Sequence, residues 1–224
     1  LEAIAILGSV LLSFYIEDLR KSNDDLLLKN ALIEDLTVSV EDDLVQLKNI
    51  QNILLESEKS ILEILNDVDK NHQQLSDIDA IEKILSIEVG FSFFQKDGIF
   101  NELISTGSFE LIKNRELKNK LLEIFNHLKE RNIATSQEID RFNIDFRREL
   151  NSNFRIRFSY NSFDGQFYGS RILNNSNFNN QYYLSNSFYG LMSQAQQYVN
   201  MYSRLLRDIE ESYKTVYSLS REEK

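Results

Sequence analysis

Apolar residues recur at strict seven-residue intervals along the first part of this chain. The row has eight consecutive members: Leu19, Leu26, Ile33, Val40, Leu47, Leu54, Ile61 and Val68. Seven residues close on two helical turns, so this row predicts one long α-helix that runs from near residue 1 to about residue 68.

A two-stranded coiled coil needs a second apolar row, and the row three residues further on is only half apolar. Its members are Ser22, Lys29, Leu36, Asp43, Ile50, Ser57 and Ile64. The pattern therefore favours a helix packed inside one bundle over a dimeric coiled coil.

The composition agrees with a helical chain. The sequence has 224 residues, with seven Gly, no Pro, no Trp and no Cys. An all-β chain of this length would need more turn residues than that. The lack of Cys excludes disulfide scaffolds, thiol nucleophiles and cysteine-bound metals.

Helical periodicity returns further along the chain. Apolar spacings predict a short helix before Gly90 and helices near 99–106, 115–158 and 191–221. Gly107 is placed to stop a helix and Asn114 to cap the next one. We therefore predict an all-α fold: an N-terminal transmembrane helix continuing into a long helix that packs in an antiparallel helical bundle.

The N-terminal stretch predicts a membrane anchor. Residues 3–16 carry no charge and are followed by Glu17 and Asp18. Fourteen residues rise roughly 21 Å, against roughly 30 Å of hydrocarbon, so we expect a transmembrane anchor at 1–18 that is truncated at its N-terminus. A buried core helix and a targeting segment are the alternatives. Gly8, Ser9 and Ser13 are small enough for close helix contact in lipid.

The net charge of −10 makes nucleic acid an improbable partner. The acidic segment after residue 16 is compatible only with a location outside the cytoplasm. We expect membrane lipid and a protein partner, or a second copy of the chain, as partners. Glu2 is a candidate for an intramembrane carboxylate that carries protons, although a lipid-interface or helix-packing role is simpler.

Two stretches resemble a family of uncharacterised single-pass membrane proteins, mostly from Bacteroidetes. Residues 2–20 are similar to its membrane helix, with Glu at the start and a small residue about seven positions later. Residues 100–125 are similar to its most recognisable pattern, which is matched here at Leu103, Gly107, Leu111, Ile112, Lys113, Asn114, Leu117 and Leu121. The resemblance implies a bacterial inner-membrane protein with one N-terminal membrane helix and its bulk, 19–224, in the periplasm. It implies no known activity.

The residues predict no catalytic, cofactor or metal site. Asp69 with His72, and Glu123 with His127, would each supply only half of a helical-bundle metal site. The sequence has no Gly-rich phosphate loop and no Ser or Thr beside a plausible His and acid.

The segment 159–190 loses helical periodicity and is rich in Asn, Ser and aromatics. Tyr with Asn and Ser is typical of protein contact surfaces, so these aromatics are a candidate partner surface. The alternative is a loop whose aromatics cap the end of the bundle. The candidates are Tyr160, Phe163, Phe167, Tyr168, Tyr182, Tyr183, Phe188 and Tyr189.

These observations favour a membrane-anchored structural or accessory subunit without catalysis, which binds a protein partner or itself. Two other functions stay open at this stage. One is an extracytoplasmic sensor that binds a small ligand in the bundle. The other is a proton-coupled partner of a membrane complex that uses Glu2.

Overall fold

The computed structural model describes the backbone of residues 2–161 and 170–223 and the side chains of residues 6–160 and 172–223. Helices dominate, with one two-stranded sheet. The elements in chain order are α1 (Glu2–Asp69), α2 (Asp77–Ser86), α3 (Gly98–Ser105), a 3-10 turn (Ser108–Leu111), α4 (Arg115–Leu122), a π turn (Glu123–Leu128), α5 (Lys129–Asn153), β1 (Arg155–Asn161), β2 (Ser170–Asn177), α6 (Asn180–Tyr183) and α7 (Asn186–Glu222).

The long first helix is confirmed: α1 runs without a break from Glu2 to Asp69. From residue 32 onward, one face of this helix is buried. Both heptad rows lie on this face, including the polar members of the second row. The members that are at most 5% exposed are Ile33, Leu36, Val40, Asp43, Leu47, Ile50, Leu54, Ser57, Ile61 and Ile64.

The chain divides into two compact units, and α1 and α7 contribute to both. The first unit comprises Leu1–Gln46, Phe94–Glu130 and Asp208–Lys224. Its core includes aromatic rings from three segments: Phe100 stacks on Phe125 at 4.6 Å, and Phe125 lies 6.4 Å from Tyr213. The π turn places Ile124, Phe125 and Leu128 in this core.

The second unit comprises Leu47–Phe93 and Arg131–Arg207. Its aromatic core lies where α5 ends and the chain leads into α7. The ring of Phe154 lies 5.5 Å from that of Phe178 and 6.1 Å from that of Phe188, and Tyr183 lies 5.0 Å from Phe188. These rings fill the end of the unit beyond the last turn of α5.

The predicted helix at 115–158 is wrong at its end, because α5 stops at Asn153. Strand β1 starts at Arg155 and pairs antiparallel with β2, with a register irregularity between Arg157 and Phe158. Arg155 and Arg157 are exposed, whereas Ile156 and Phe158 are half-buried. This alternation has the period of a strand, and a strand accepts β-branched and aromatic residues better than a helix does. The fold is therefore mainly helical, with a β-hairpin inside the segment predicted as irregular.

The stretch between α2 and α3, residues 87–97, is largely extended. Side chains form hydrogen bonds with its backbone groups. In the second unit, the N–H of Glu88 donates to Ser57 Oγ at 2.9 Å, and Asn132 Nδ2 donates to the carbonyl of Phe93 at 2.9 Å. The hydroxyl of Tyr202 donates to the carbonyl of Phe91 and accepts from the N–H of Phe93. Buried backbone groups need such partners where no ladder supplies them.

In the first unit, side chains likewise form hydrogen bonds with the backbone of this stretch. The N–H of Phe94 donates to Gln46 Oε1 at 2.7 Å, and the N–H of Lys96 donates to Asp43 Oδ2 at 3.1 Å. Tyr213 donates its hydroxyl to the same carboxylate oxygen at 2.9 Å. Burial raises the pKa of Asp43 above its usual value, although both hydrogen bonds lower it. A charged Asp43 therefore depends on these donors.

Replacing Tyr213 by Phe should destabilise the first unit. The change removes a hydrogen bond to a buried carboxylate, which costs about 2 kcal/mol in the free energy of unfolding. Urea denaturation measures this loss, and hydrogen exchange of the Lys96 amide should accelerate.

Tyr198→Phe is the matched control. Its hydroxyl reaches Glu138 at an exposed position, so we expect a loss below about 0.5 kcal/mol. Equal losses in the two variants would contradict the assigned role of Asp43.

Candidate functional site

The N-terminal part of α1 is exposed on every side. All side chains from residue 6 to residue 28 are exposed, and we call this segment the N-terminal extension. Large apolar residues dominate its first half. They are between 45% and 65% exposed: Ile6, Leu7, Val10, Leu11, Leu12, Phe14, Tyr15 and Ile16.

The predicted small residues lie on this extension. A Cβ added at Gly8 would meet no atom within 4 Å. Ser9 and Ser13 donate their hydroxyls to carbonyls of their own helix, those of Ile6 at 2.8 Å and Ser9 at 2.9 Å. Their polar atoms are thus partnered without water.

Among the described residues, no helix combines the length and the apolar character needed to cross a membrane. The side chain of Glu2 falls outside the part of the chain whose side chains are described.

A buried ion pair in the first unit directly follows the N-terminal extension of α1. Lys29 Nζ donates to Glu223 Oε1 at 3.2 Å, and the two side chains are 4% and 3% exposed. The backbone N–H groups of Lys113 and Asn114 donate to the two oxygens of the same carboxylate, at 2.8 and 2.9 Å. We call these four residues the Glu223 clamp. Burial raises the pKa of Glu223, but the backbone N–H donors and Lys29 outweigh it and hold the pKa below its usual value.

The segment 107–117 contributes two of the four clamp residues, Lys113 and Asn114. Gly107 takes a left-handed conformation, with φ of 76°, that a side chain would strain. Asn114 Oδ1 then accepts from the N–H groups of Glu116 and Leu117, which confirms the predicted cap. Leu103, Ile112 and Leu117 are buried, and Leu111 is partly buried. At the start of α4, the backbone N–H groups of Lys113 and Asn114 lie outside the helix ladder and donate to Glu223.

Sequence reasoning missed Lys29 and Glu223. Lys29 interrupts the second heptad row, which marks it as a charge on a buried face. Its partner lies 194 residues further along the chain, and no local pattern indicates such a distance.

Replacing Glu223 by Gln should cost about 3 kcal/mol in the free energy of unfolding, because it leaves the charge of Lys29 buried without its partner. Thermal and urea denaturation measure this loss. The depressed pKa of Glu223 adds a dependence on pH: its stabilisation is present above the unfolded pKa and is lost as the pH falls through the folded pKa.

Glu222→Gln provides the control, since Glu222 is exposed and the change removes the same charge. We expect a loss within about 0.5 kcal/mol. A similar loss in both variants would show that the clamp contributes nothing specific.

A histidine lies between two carboxylates at the end of α1 in the second unit. His72 Nδ1 is 2.6 Å from Asp67 Oδ2, and His72 Nε2 is 2.9 Å from Asp77 Oδ1. The imidazole stacks on Phe178 at 4.7 Å and meets the edge of Tyr183 at 4.9 Å. We call these five residues the His72 cluster.

Asp67 is the centre of this cluster. Its Oδ1 accepts from the N–H groups of Gln74 and Leu75, and its Oδ2 accepts from the hydroxyl of Tyr183 at 2.9 Å. The turn after α1 places Asn71 and His72 in the left-handed region, with φ of 55° and 58°. Such residues cost about 1 kcal/mol or more each, so the bonds to Asp67 stabilise a strained turn.

The protonation of His72 follows from this geometry. Burial lowers the pKa of His72, but hydrogen bonds to Asp67 and Asp77 outweigh it and hold the pKa above its usual value. Burial raises the pKa of Asp67, and the donors around it outweigh that effect and depress the pKa. A charged His72 donates from both nitrogens.

The contribution of His72 to stability should decrease in alkaline solution. A raised pKa stabilises fully below the unfolded value of 6.5, and the stabilisation is lost as the pH rises through the folded pKa. The difference in unfolding free energy between the wild type and His72→Asn should therefore be larger at about pH 6 than at about pH 9.

His127→Asn removes the other histidine, which is exposed and lies outside the His72 cluster, and is measured in parallel as the control. A His72→Asn difference that stays constant across this range would contradict a charged His72. The readout is the unfolding free energy, measured across the pH series.

The predicted aromatic partner surface is wrong in part. Tyr183 and Phe188 are fully buried in the core of the second unit. Tyr160 and Tyr189 are exposed, at 60% and 38%, and Tyr182 is half-buried. Phe163, Phe167 and Tyr168 lie outside the described residues. The composition of the segment does not indicate which of its aromatics face the core.

The two carboxylate–histidine pairs considered in the sequence do not belong to a larger metal-binding cluster in the described part of the chain. Within residues 6–160 and 172–223, no three His, Asp or Glu side chains lie together in an arrangement that could hold a metal ion. The partners of His72 are Asp67 and Asp77 instead of Asp69. His127 is exposed beside the π turn.

Comparison with known proteins does not identify a family for this chain. No family model matches this chain, and no curated protein or solved structure matches it significantly. The resemblance to the bacterial membrane family stays a prediction.

Proposed function

We propose that this chain is a membrane-anchored helical bundle that serves as a structural or accessory subunit in a bacterial inner membrane, with its bulk on the periplasmic side. The observation that supports this function is the N-terminal extension, which exposes apolar side chains around its whole circumference between residues 6 and 16. A helix that is apolar all round needs an apolar solvent or a surrounding protein.

Lipid suits this segment for three reasons. The backbone groups of a helix are bonded within the helix, as hydrocarbon requires. The hydroxyls of Ser9 and Ser13 are bonded to the same helix. The charges begin at Glu17, so the apolar segment can enter the hydrocarbon while the next turns stay in the polar layer.

The buried polar groups described above support a structural role. Asp43, Asp67 and Glu223 each bind backbone N–H groups or side chains of their own unit. The hollow of about 450 Å³ in the second unit is an open groove beside Asp77 and Glu82. The polar groups thus hold the fold together, whereas a sensor would direct them into an enclosed cavity.

Three acidic substitutions on the extension, Leu7→Glu, Leu11→Glu and Phe14→Glu, should abolish association with lipid vesicles. Each of these side chains contributes about 1.5 kcal/mol or more when it leaves water, so the triple variant should bind at least about 100-fold more weakly. Flotation of the full chain with phosphatidylglycerol and phosphatidylethanolamine vesicles measures the bound fraction.

The matched control places the same three changes on the exposed side of α1 within the bundle region, at Val38, Val45 and Leu55. These residues are 57%, 57% and 62% exposed, close to the 62%, 60% and 65% of the first set. The control should float like the wild type. A wild-type chain that stays at the bottom of the gradient would refute the proposed anchor.

A further inference from the structure

The N-terminal extension continues a heptad pattern beyond the bundle. Its leucines at 12, 19 and 26 extend the buried row of α1 backwards, and Ile16 and Asn23 lie four residues after Leu12 and Leu19. In coiled-coil notation, the d positions are Leu12, Leu19 and Leu26, and the a positions are Ser9, Ile16 and Asn23. We call this stripe the seam.

The seam has no partner among the described residues of this chain. Leu12 is 59% exposed, Leu19 is 53% exposed and Leu26 is 38% exposed. The next member of the row, Ile33, is fully buried in the bundle. The same row is therefore covered inside the bundle and uncovered beyond it.

The outer face changes character at residue 17, while the seam keeps leucines at 19 and 26 on either side of Asn23. Up to residue 16 the outer positions hold Leu7, Val10, Leu11 and Phe14, which suit lipid. From residue 17 to residue 25 they hold charged side chains: Glu17, Asp18, Lys21, Asp24 and Asp25, and Leu28 stands at the next outer position. An isolated helix in a polar layer has no need for leucines at 19 and 26 on one face, so this contrast indicates a covered seam.

The positions of the charges leave room for an identical helix as the cover. The four acids of this segment lie at the outer b and c positions, where a second copy would not approach them. The flanking e position holds Arg20, and the g position of the preceding turn holds Tyr15. In a parallel pair, Tyr15 of one copy faces Arg20 of the other, which allows a cation–π contact.

We propose that the N-terminal extension pairs in parallel and in register with that of a second copy of this chain along the seam. Ile16, Leu19 and Leu26 are covered by their counterparts. Asn23 meets Asn23, and a buried Asn at an a position selects a two-stranded, in-register pair. This inference rests on the proposed function, since it names the partner of the anchored subunit.

The small residues agree with this geometry. Ser9 occupies an a position, and Gly8 and Ser13 occupy the adjacent g and e positions. Small side chains at these places let two helices approach closely in lipid, where packing drives association. The pairing therefore extends from the lipid layer to the start of the bundle over 18 residues, about 27 Å of helix.

Cysteine cross-linking tests the pairing directly, because this sequence has no Cys. Single changes Leu19→Cys, Asn23→Cys and Leu26→Cys probe the seam. Asp18→Cys, Lys21→Cys and Asp25→Cys probe the outer face of the same turns. Since a disulfide needs Cβ atoms within about 4.5 Å, the full chain in vesicles should form at least about five times more cross-linked dimer from the seam positions.

Equal cross-linking on both faces, or no dimer from any position, would overturn the pairing. A second pair of variants checks the association without cross-linking: Leu19→Glu with Leu26→Glu should yield monomers in mild detergent. Lys21→Glu with Leu28→Glu should stay dimeric although it adds more negative charge. Monomers in both, or dimers in both, would also overturn it.

The same samples separate this inference from the proposed anchor. Wild-type protein that floats with vesicles but shows no preference for the seam would refute the pairing and leave the anchor. Seam-specific cross-links in protein that does not float would refute the anchor and leave the pairing. A seam-specific complex with another chain in native membranes, without a dimer of this one, would show that a foreign helix covers the seam.

Discussion

The fold depends on polar residues set into the buried face of α1. Lys29, Asp43, Ser57 and Asp67 are each at most 3% exposed on a face that is otherwise apolar. Burying such groups without partners would cost several kcal/mol, so each needs a matched group in its own unit. They fix where the irregular parts of the chain can attach, since an apolar row alone would accept any apolar neighbour.

The extended stretch between α2 and α3 shows how this constraint operates. Its backbone has no strand to pair with, and the N–H groups of Glu88 and Lys96 are taken up by Ser57 and Asp43 on α1. A close approach adds to this: a Cβ at Gly90 would come within 2.9 Å of Tyr202. The side chain of Tyr202 is held by bonds to Phe91 and Phe93, so it has little freedom to yield. Gly90 is thus required by packing, at a place where the sequence suggested only a helix end.

The sequence predicted features that depend on neighbours in the chain. The length of α1 followed from its heptad row, and the turn at Gly107 and the cap at Asn114 followed from backbone chemistry that acts over a few residues. The pairing of β1 with β2 was missed because the helical pattern of α5 was extended past Asn153, although Arg155, Ile156, Arg157 and Phe158 already alternate with the period of a strand. The burial of Tyr183 was missed because its partner, Asp67, lies 116 residues away.

The heptad row of α1 is buried over part of its length and exposed over the rest, because α1 extends beyond the elements that pack against it. Within the bundle, the row of α1 is covered by the chain itself. The Glu223 clamp lies at Lys29, and on its N-terminal side the same row is exposed. Polar residues decide how α1 packs inside the bundle and how its N-terminal extension pairs outside it. Asp43 and Asp67 admit one arrangement of the chain inside the bundle, and Asn23 would admit one register between two chains outside it. Polar residues such as Asp43, Asp67 and Asn23, set among apolar neighbours, are therefore the positions at which this helix selects its neighbours.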